Sequence, residues 1–221
     1  MKKFLRRLLS AVIYNTRIRK TLRREVRIGI GNIDLTISPT VFNPAFFTTS
    51  KFLAEYISSL DLKNKKVLDA GTGSGILAIA AAQQGALVTA IDMNSTAVEC
   101  TEANARNNNV SINVLQSDWF DALGEEKFDV IVSNPPFVKG EVMPPYGIAW
   151  YSGAQHELVI PLIDSSVNHL TTGGYALFII SSDADVEWFT MRLGSVFSSV
   201  QIVAREKSYF EEFFIIKASQ K

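Results

Sequence analysis

Short apolar runs alternate with segments of helical periodicity from Lys65 onward, and this alternation restricts the fold more than any other feature. The runs predict seven strands, over residues 66–69, 86–91, 112–116, 128–133, 175–181, 200–205 and 213–217. The periodicity predicts helices over residues 76–84, 95–108, 158–170 and 185–197, with Ser95 as the predicted N-cap of the second. Such alternation is typical of an α/β fold, with a mostly parallel sheet and helices on both faces. The last two strands have no helix between them, which predicts one antiparallel edge strand.

The first 40 residues differ in pattern and predict an appendage to a domain at residues 41–221. Residues 1–27 carry a net charge of +9, against −9 for the rest of the chain. Their apolar residues recur at helical spacing, at Phe4, Leu5, Leu8, Leu9, Val12 and Ile13. This predicts a basic amphipathic helix, which could pack on the domain, lie on an anionic membrane surface or contact nucleic acid. Alternating runs on either side of Gly31-Asn32 then predict a β-hairpin.

Composition restricts the chemistry further. The single cysteine, Cys100, excludes an intramolecular disulfide and fits a reducing compartment. Its helical context favours a buried small side chain over a nucleophile. His156 and His169 lie far apart without cysteine support, so we expect no metal site. We expect a cytoplasmic protein, with the basic helix as an optional peripheral contact to a membrane surface, and the sequence leaves the oligomeric state open.

A glycine-rich segment, Asp69-Ala70-Gly71-Thr72-Gly73-Ser74-Gly75, follows the first strand of the domain. Glycines at alternate positions let the backbone approach a ligand and turn directly into a helix. The spacing differs from the dinucleotide fingerprint and lacks the lysine of a phosphate-binding loop. A ligand with a carboxylate and an ammonium fits better, with Asp69 or a loop carbonyl facing the cation. The alternative is a tight turn without a ligand.

Acids also end the next two strands. Asp92 can accept from two ribose hydroxyls, as carboxylates at this position do in nucleotide-binding folds. Asp118 can accept from an adenine amino group, with Met93 or Trp119 covering the base. Each acid alone could be a solvated loop residue. Together with Asp69 they predict a nucleoside site at the carboxyl edge of the sheet.

The fourth strand ends in Asn134-Pro135-Pro136-Phe137. Prolines have no N–H and fix φ, so the backbone turns sharply and leaves carbonyl groups available. The Asn134 side-chain carbonyl and a backbone carbonyl are then two acceptors directed at one point. This pair suits a planar –NH₂ group, and Phe137 could stack on it.

These four motifs together resemble class I S-adenosylmethionine-dependent methyltransferases, in the branch that methylates glutamine amides or nucleic-acid amino groups. The resemblance covers roughly residues 41–218 and implies a Rossmann-like fold. It implies S-adenosylmethionine as cofactor and, as its binding residues, Asp69, Gly71, Thr72, Gly73, Gly75, Asp92, Met93, Asp118, Trp119 and Asn134. It implies that Asn134, Pro135, Pro136 and Phe137 hold the acceptor nitrogen.

The chain departs from this family before the first core helix. Many glutamine-modifying relatives carry acids or an Arg-Pro-Glu-Thr-type segment there, whereas residues 43–49 read Asn-Pro-Ala-Phe-Phe-Thr-Thr. We expect Phe42, Phe46 or Thr48 to line the cofactor pocket, with core packing as the alternative. The long loop between Lys139 and Glu157 is the expected acceptor-selecting segment. His156 in that loop is expected to be structural or solvated rather than a base.

The expected activity is methyl transfer to a planar amide or amino nitrogen, with protein glutamine as first choice because an acidic body disfavours nucleic acid. The enzymatic alternative is an exocyclic amine of RNA or DNA (adenine N6 or guanine N2) with the basic helix as docking element. An alternative of another class is an inactive cofactor-binding partner module.

Overall fold

A computed structural model describes residues 24–44, 48–140, 151–208 and 211–220. The predicted basic helix, Phe46 and most of the long loop after Lys139 lie outside the described residues. The strands are β1 Val26–Ile30, β2 Ile33–Ile37, β3 Lys66–Ala70, β4 Leu87–Asp92, β5 Ile112–Gln116, β6 Phe128–Ser133, β7 Val138–Lys139, β8 Tyr151–Gly153, β9 Leu170–Ser181, β10 Ser199–Lys207 and β11 Glu212–Ser219. The helices are α1 Thr48–Ser58, α2 Ile76–Gln83, α3 Ser95–Asn107, α4 Ile160–Ser166 and α5 Val186–Val196, with a 3₁₀ turn at Val167–His169.

Seven strands form one Rossmann-like sheet in the order β10-β11-β9-β6-β3-β4-β5, which confirms the predicted α/β fold. All neighbours pair in parallel except β11, which is antiparallel to both β9 and β10. The antiparallel strand therefore lies one position in from the edge that we expected it to occupy, because the chain returns between β9 and β10. The predicted hairpin is also confirmed, as β1 pairs with β2 from Val26–Ile37 to Ile30–Ile33.

Strand order reverses between β3 and β6. On one side of this point the order continues through β4 and β5, and on the other side it continues through β9, β11 and β10. Open parallel sheets bind ligands in the crevice at the carboxyl ends of strands at such a point. The glycine-rich loop follows β3 and Asn134 follows β6. The two strand ends are also joined directly, since Ser133 Oγ donates to the Ala70 carbonyl at 2.7 Å. The topology thus places the two principal sequence motifs side by side.

Apolar cores cover both faces of the sheet, and β9 shows the alternation that produces them. Leu177 and Ile179 face a core that contains residues of α1, α2, α3 and the buried side of β2. Ala176, Phe178 and Ile180 face the opposite core, which contains residues of α4 and α5. Successive side chains of a strand point to opposite faces, so a central strand of this kind is apolar throughout.

Two helix boundaries differ from the prediction. The N-cap of α3 is Asn94, whose side chain accepts from Thr96 N at 3.0 Å, and not Ser95. Asp92 accepts from the backbone N–H of Asn94 and holds that residue in an extended conformation, so the helix begins directly after it. The helix predicted over 158–170 covers only Ile160–Ser166, because His156 has a positive φ of 62° before it and a 3₁₀ turn follows it.

Within the described ranges, no helix is long and apolar enough to cross a membrane. The same residues contain no group of three or more His, Cys, Asp or Glu side chains that could hold a metal ion. Cys100 is buried and its Sγ lies 3.2 Å from the carbonyl oxygen of Thr36. Burial raises the pKa of this thiol, which agrees with the expected packing role.

Candidate active site

The glycine-rich loop depends on left-handed backbone conformations. Gly71, Gly73 and Gly75 have φ values of 79°, 55° and 84°, which side chains with a Cβ rarely adopt. A Cβ on Gly75 would lie 3.0 Å from Cγ2 of Thr101, so Thr101 would have to shift by a few tenths of an ångström to admit a side chain there. The N–H groups of Gly71 and Thr72 both donate to the Ile91 carbonyl at 2.9 Å. The loop is therefore fixed against the end of β4.

Asp69 lies fully buried beneath this loop. Its Oδ2 accepts from Thr72 Oγ1 at 2.7 Å and from Ala78 N at 3.1 Å. Its Oδ1 is buried without a hydrogen-bond partner among the described residues. Burial raises the pKa of Asp69 to about 7, against the opposing effect of the two hydrogen bonds. An unpaired carboxylate oxygen is costly to bury, so the site is suited to a cationic or donor group of a ligand.

Asp92 ends β4 and binds the glycine-rich loop. Its Oδ2 accepts from Gly73 N at 2.9 Å, and its Oδ1 accepts from Asn94 N at 3.0 Å. Each oxygen retains a lone pair for a further donor, such as a ribose hydroxyl. Partial burial raises the pKa of this carboxyl group. Met93, which follows it, is 49% exposed and is available to cover a base.

Asp118 and Trp119 follow β5 in different environments. Asp118 is exposed, so its assignment to adenine stays a prediction. Trp119 has a φ of 44°, and its Nε1 donates to the Leu158 carbonyl at 3.0 Å. Its ring would lie 3.7 Å from a Cβ on Gly71. The indole therefore forms a fixed wall beside the glycine-rich loop.

Asn134 has a fully determined amide orientation. Its Nδ2 donates to Thr49 Oγ1 at 3.2 Å and to Ser50 Oγ at 2.8 Å, which uses both amide hydrogens. Its Oδ1 is buried and has no hydrogen-bond partner in the part of the chain that the structure describes. The hydroxyl groups of α1 thus leave the side-chain carbonyl as a free acceptor. Leaving such an oxygen unpaired costs about 1–3 kcal/mol, which a donor on a ligand would recover.

Sequence reasoning missed Thr49 and Ser50. Both are buried in the first turn of α1, and the available signal was the run Thr48-Thr49-Ser50 at the start of an otherwise apolar helix face. Phe42 was expected to line the cofactor pocket, and it does lie beside the glycine-rich loop. A Cβ built on Gly73 would lie 3.9 Å from the Cβ of Phe42. The role of Thr48 stays a prediction.

The chain after Asn134 forms the base of the long loop. Phe137 packs against the core that contains residues of α4 and α5. β7 precedes residues 141–150, which lie outside the described structure, and pairs with β8, which follows them. Ser152 Oγ donates to the Val138 carbonyl at 3.2 Å. Both ends of this predicted acceptor-selecting segment are therefore held directly next to the Asn-Pro-Pro-Phe motif.

His156 is buried behind this base and stacks on Trp188, with ring centroids 4.0 Å apart. Its Nδ1 lies 2.8 Å from Ser152 Oγ. Ser152 Oγ therefore links the His156 ring to the Val138 carbonyl. Nε2 lies 3.9 Å from Asp185 Oδ2. Burial, reinforced by Lys139, lowers the pKa of His156, so the ring is neutral at pH 7 and has a packing role.

Comparisons with known proteins identify the family of this chain. Residues 32–210 match the family model described as the methyltransferase small domain. The chain is 34% identical over 197 residues to a Methanocaldococcus jannaschii protein named "Putative protein N5-glutamine methyltransferase MJ0928", which aligns 86% of this chain with 98% of that protein. It is 30% identical over 158 residues to the Escherichia coli release factor glutamine methyltransferase, over 66% of this chain and 57% of that enzyme.

A solved structure has the same fold. The 16S rRNA N2 G1207 methyltransferase of T. thermophilus, in complex with AdoMet and guanosine, superposes with a TM-score of 0.70 at 22% identity. The superposition covers 90% of this chain and 50% of that one. The chain thus spans nearly all of the archaeal relative, but only about half of the bacterial enzyme and of the solved structure.

Proposed function

The chain belongs to the methyltransferase small domain family and uses S-adenosylmethionine as methyl donor, and from this premise we propose that it methylates the side-chain amide nitrogen of a protein glutamine. The observation that carries the proposal is the free, buried Oδ1 of Asn134. An oxygen held in this way selects a hydrogen-bond donor, and an –NH₂ group that also reaches the Pro135 carbonyl would use both of its hydrogens.

The acceptor nitrogen needs help because its lone pair is delocalised into the amide. Asn134 Oδ1 and the Pro135 carbonyl would each accept one hydrogen of the –NH₂ group, which localises the lone pair on nitrogen and fixes its direction. S-adenosylmethionine supplies an electrophilic methyl group when bound; the N–C bond forms as the S–C bond breaks, and the nitrogen gives up one of its two protons to solvent. Positioning and electrostatics then provide the acceleration, and none of the chain's residues forms a covalent bond to the substrate.

The cofactor fits the residues at the carboxyl edge of β3 and β4. Asp69 Oδ1 lacks a partner and would face the ammonium group, while Asp92 keeps acceptor capacity for the ribose hydroxyls. Trp119 and Met93 would enclose the base, with Asp118 as a further acceptor. The left-handed glycines allow the backbone of the loop to approach the methionine moiety.

Protein is favoured over nucleic acid as the acceptor. The two curated relatives described above are named for glutamine methylation. Residues 28–221 carry a net charge of −9, which repels a phosphate backbone. The basic segment of residues 1–27 supports the rival acceptor, an exocyclic amine of RNA or DNA, and the experiment must separate the two.

Methyl transfer from tritiated S-adenosylmethionine into fractionated cell extract tests the proposal. We expect label in protein, recovered as N5-methylglutamine after complete proteolysis, and a loss of about 100-fold in rate with Asn134→Ala. Label in RNA or DNA that depends on Asn134 would instead support the rival acceptor. Cofactor binding without turnover on any fraction would contradict both and indicate an inactive binding module.

A further inference from the structure

Helix α3 holds the β-hairpin through the side-chain amides of two asparagines. Asn104 accepts from Thr36 N at 2.8 Å and donates to the Thr36 carbonyl at 3.0 Å. Asn108, directly after the helix, forms the same pair of bonds with Asp34, at 3.0 and 2.7 Å. Residues four apart on a helix are separated by about 6 Å, which matches two residues along a strand. The amides therefore extend the hydrogen-bond ladder along the free edge of β2.

Asn104 also contacts the glycine-rich loop. It is fully buried, and its Nδ2 donates to the Ser74 carbonyl at 2.9 Å. Thr101, one turn earlier, donates from Oγ1 to the Gly73 carbonyl at 3.2 Å. Within the described ranges, Asn108 has no hydrogen bond to this loop. Asn104 is therefore shared between the hairpin and the loop, whereas Asn108 binds the hairpin and, through Nδ2, the Asn104 carbonyl at 2.8 Å.

These bonds fix the direction of two peptide planes. In a trans peptide the N–H points opposite to the preceding C=O. Because the carbonyls of Gly73 and Ser74 point to α3, the N–H groups of Ser74 and Gly75 point away from it. The Gly75 N–H is used inside the loop, on the Thr72 carbonyl at 2.9 Å. The Ser74 N–H is thereby directed away from α3 as a donor at the start of α2.

We propose that Asn104 is a positioning residue for cofactor binding, and that it couples the β-hairpin to the glycine-rich loop. Cofactor bound against the loop then stabilises the hairpin, and an intact hairpin strengthens cofactor binding by the same factor. The proposal rests on the cofactor site described under Proposed function but not on the identity of the acceptor.

Binding of S-adenosylhomocysteine, measured by calorimetry without any acceptor, tests this coupling. Asn104→Ala and Asn108→Ala each remove one pair of bonds to β2, so both should lower the urea midpoint. Only Asn104→Ala should weaken binding, by about tenfold, the usual effect of one lost buried hydrogen bond with its unpaired partner. Asn108→Ala should stay within about twofold of wild type. Equal affinities in all three proteins, or equal losses in both variants, would overturn the proposal.

Hydrogen exchange gives a second measurement. If Asn104 had a purely structural role, the ligand would not change the exchange rate of the hairpin amides differently in the two variants. The ligand should slow exchange of the Thr36 amide in wild type and in Asn108→Ala, but not in Asn104→Ala. Should Asn104→Ala not fold, Thr101→Val removes the bond to the Gly73 carbonyl in a side chain of nearly the same shape. That variant is expected to bind several-fold more weakly, and unchanged binding would refute the proposal. If the ligand binds normally but no acceptor is methylated, the proposed function fails while this test remains valid.

Discussion

Asp69 should make both stability and cofactor binding depend on pH. Its pKa is raised from 3.8 to about 7, chiefly by complete burial. A carboxyl group with a raised folded-state pKa contributes stability that is fully present below pH 3.8 and is lost as pH rises through 7. A shift of about 3 units corresponds to a loss on the order of 4 kcal/mol across that window.

Urea unfolding from pH 4 to pH 8 measures this loss, with Asp69→Asn as the matched variant. Asparagine does not titrate, and its carbonyl oxygen can still accept from Thr72 and Ala78. The free energy of unfolding of wild type relative to the variant should therefore fall by about 4 kcal/mol between pH 4 and pH 8. A constant difference across that range would refute the assignment of a raised pKa to Asp69.

Cofactor binding should release a proton from the same group. A ligand ammonium beside Asp69 Oδ1 would lower the pKa of the carboxyl group, because opposite charges favour the ionised form. At pH 6 the free protein holds about 90% of this carboxyl group protonated, which weakens binding roughly tenfold relative to high pH. Calorimetry at pH 6 in two buffers of different ionisation enthalpy should show about one proton released. Identical proton release by Asp69→Asn would show that another group is responsible.

Three further predictions concern other parts of the site. Asp92→Ala should weaken S-adenosylhomocysteine binding by about 10- to 100-fold in calorimetry, because the charge-assisted hydrogen bond that holds the loop at Gly73 N is lost together with the acceptors for the ribose hydroxyls; affinity within twofold of wild type would contradict the role of Asp92. Gly75→Ala should lower the free energy of unfolding in urea by about 2 kcal/mol, whereas Gly124→Ala, with φ 56° and nothing within 4 Å of its Cβ, should cost only about 1 kcal/mol. Thermal scans below pH 6.5 should show wild type losing stability more steeply than His156→Gln, because a lowered histidine pKa gives stability that is lost as pH falls; parallel curves would argue against a neutral, buried ring.

Local patterns predicted the sheet and the motif positions because the physics there is short-range. The apolar run Phe128–Ser133 and the following prolines determine both a buried strand and its end. The prediction of the α3 N-cap was wrong by one residue, because Asn94 and Ser95 are both residue types that cap helices well. The hydrogen bond from Asn94 N to Asp92 decides between them, and it becomes visible only in three dimensions.

The partners of the functional side chains could not be predicted in this way. Asn134 is oriented by Thr49 and Ser50, which lie more than 80 residues earlier in the chain. Asn104 binds Thr36 across 68 residues and resembles any polar residue on a helix when read alone. Long-range hydrogen bonds of buried amides carry no periodicity, so their pattern depends on the completed packing.

The insertion of β11 between β9 and β10 fixes the order of events during synthesis. β10 is synthesised before β11, its neighbour in the sheet, and one edge of β9 stays unpaired until residues 212–219 have emerged. Open edges rich in apolar side chains recruit other chains. A nascent polypeptide stalled before Glu212 should therefore depend on chaperones and, when released early, should aggregate rather than persist as a shortened enzyme.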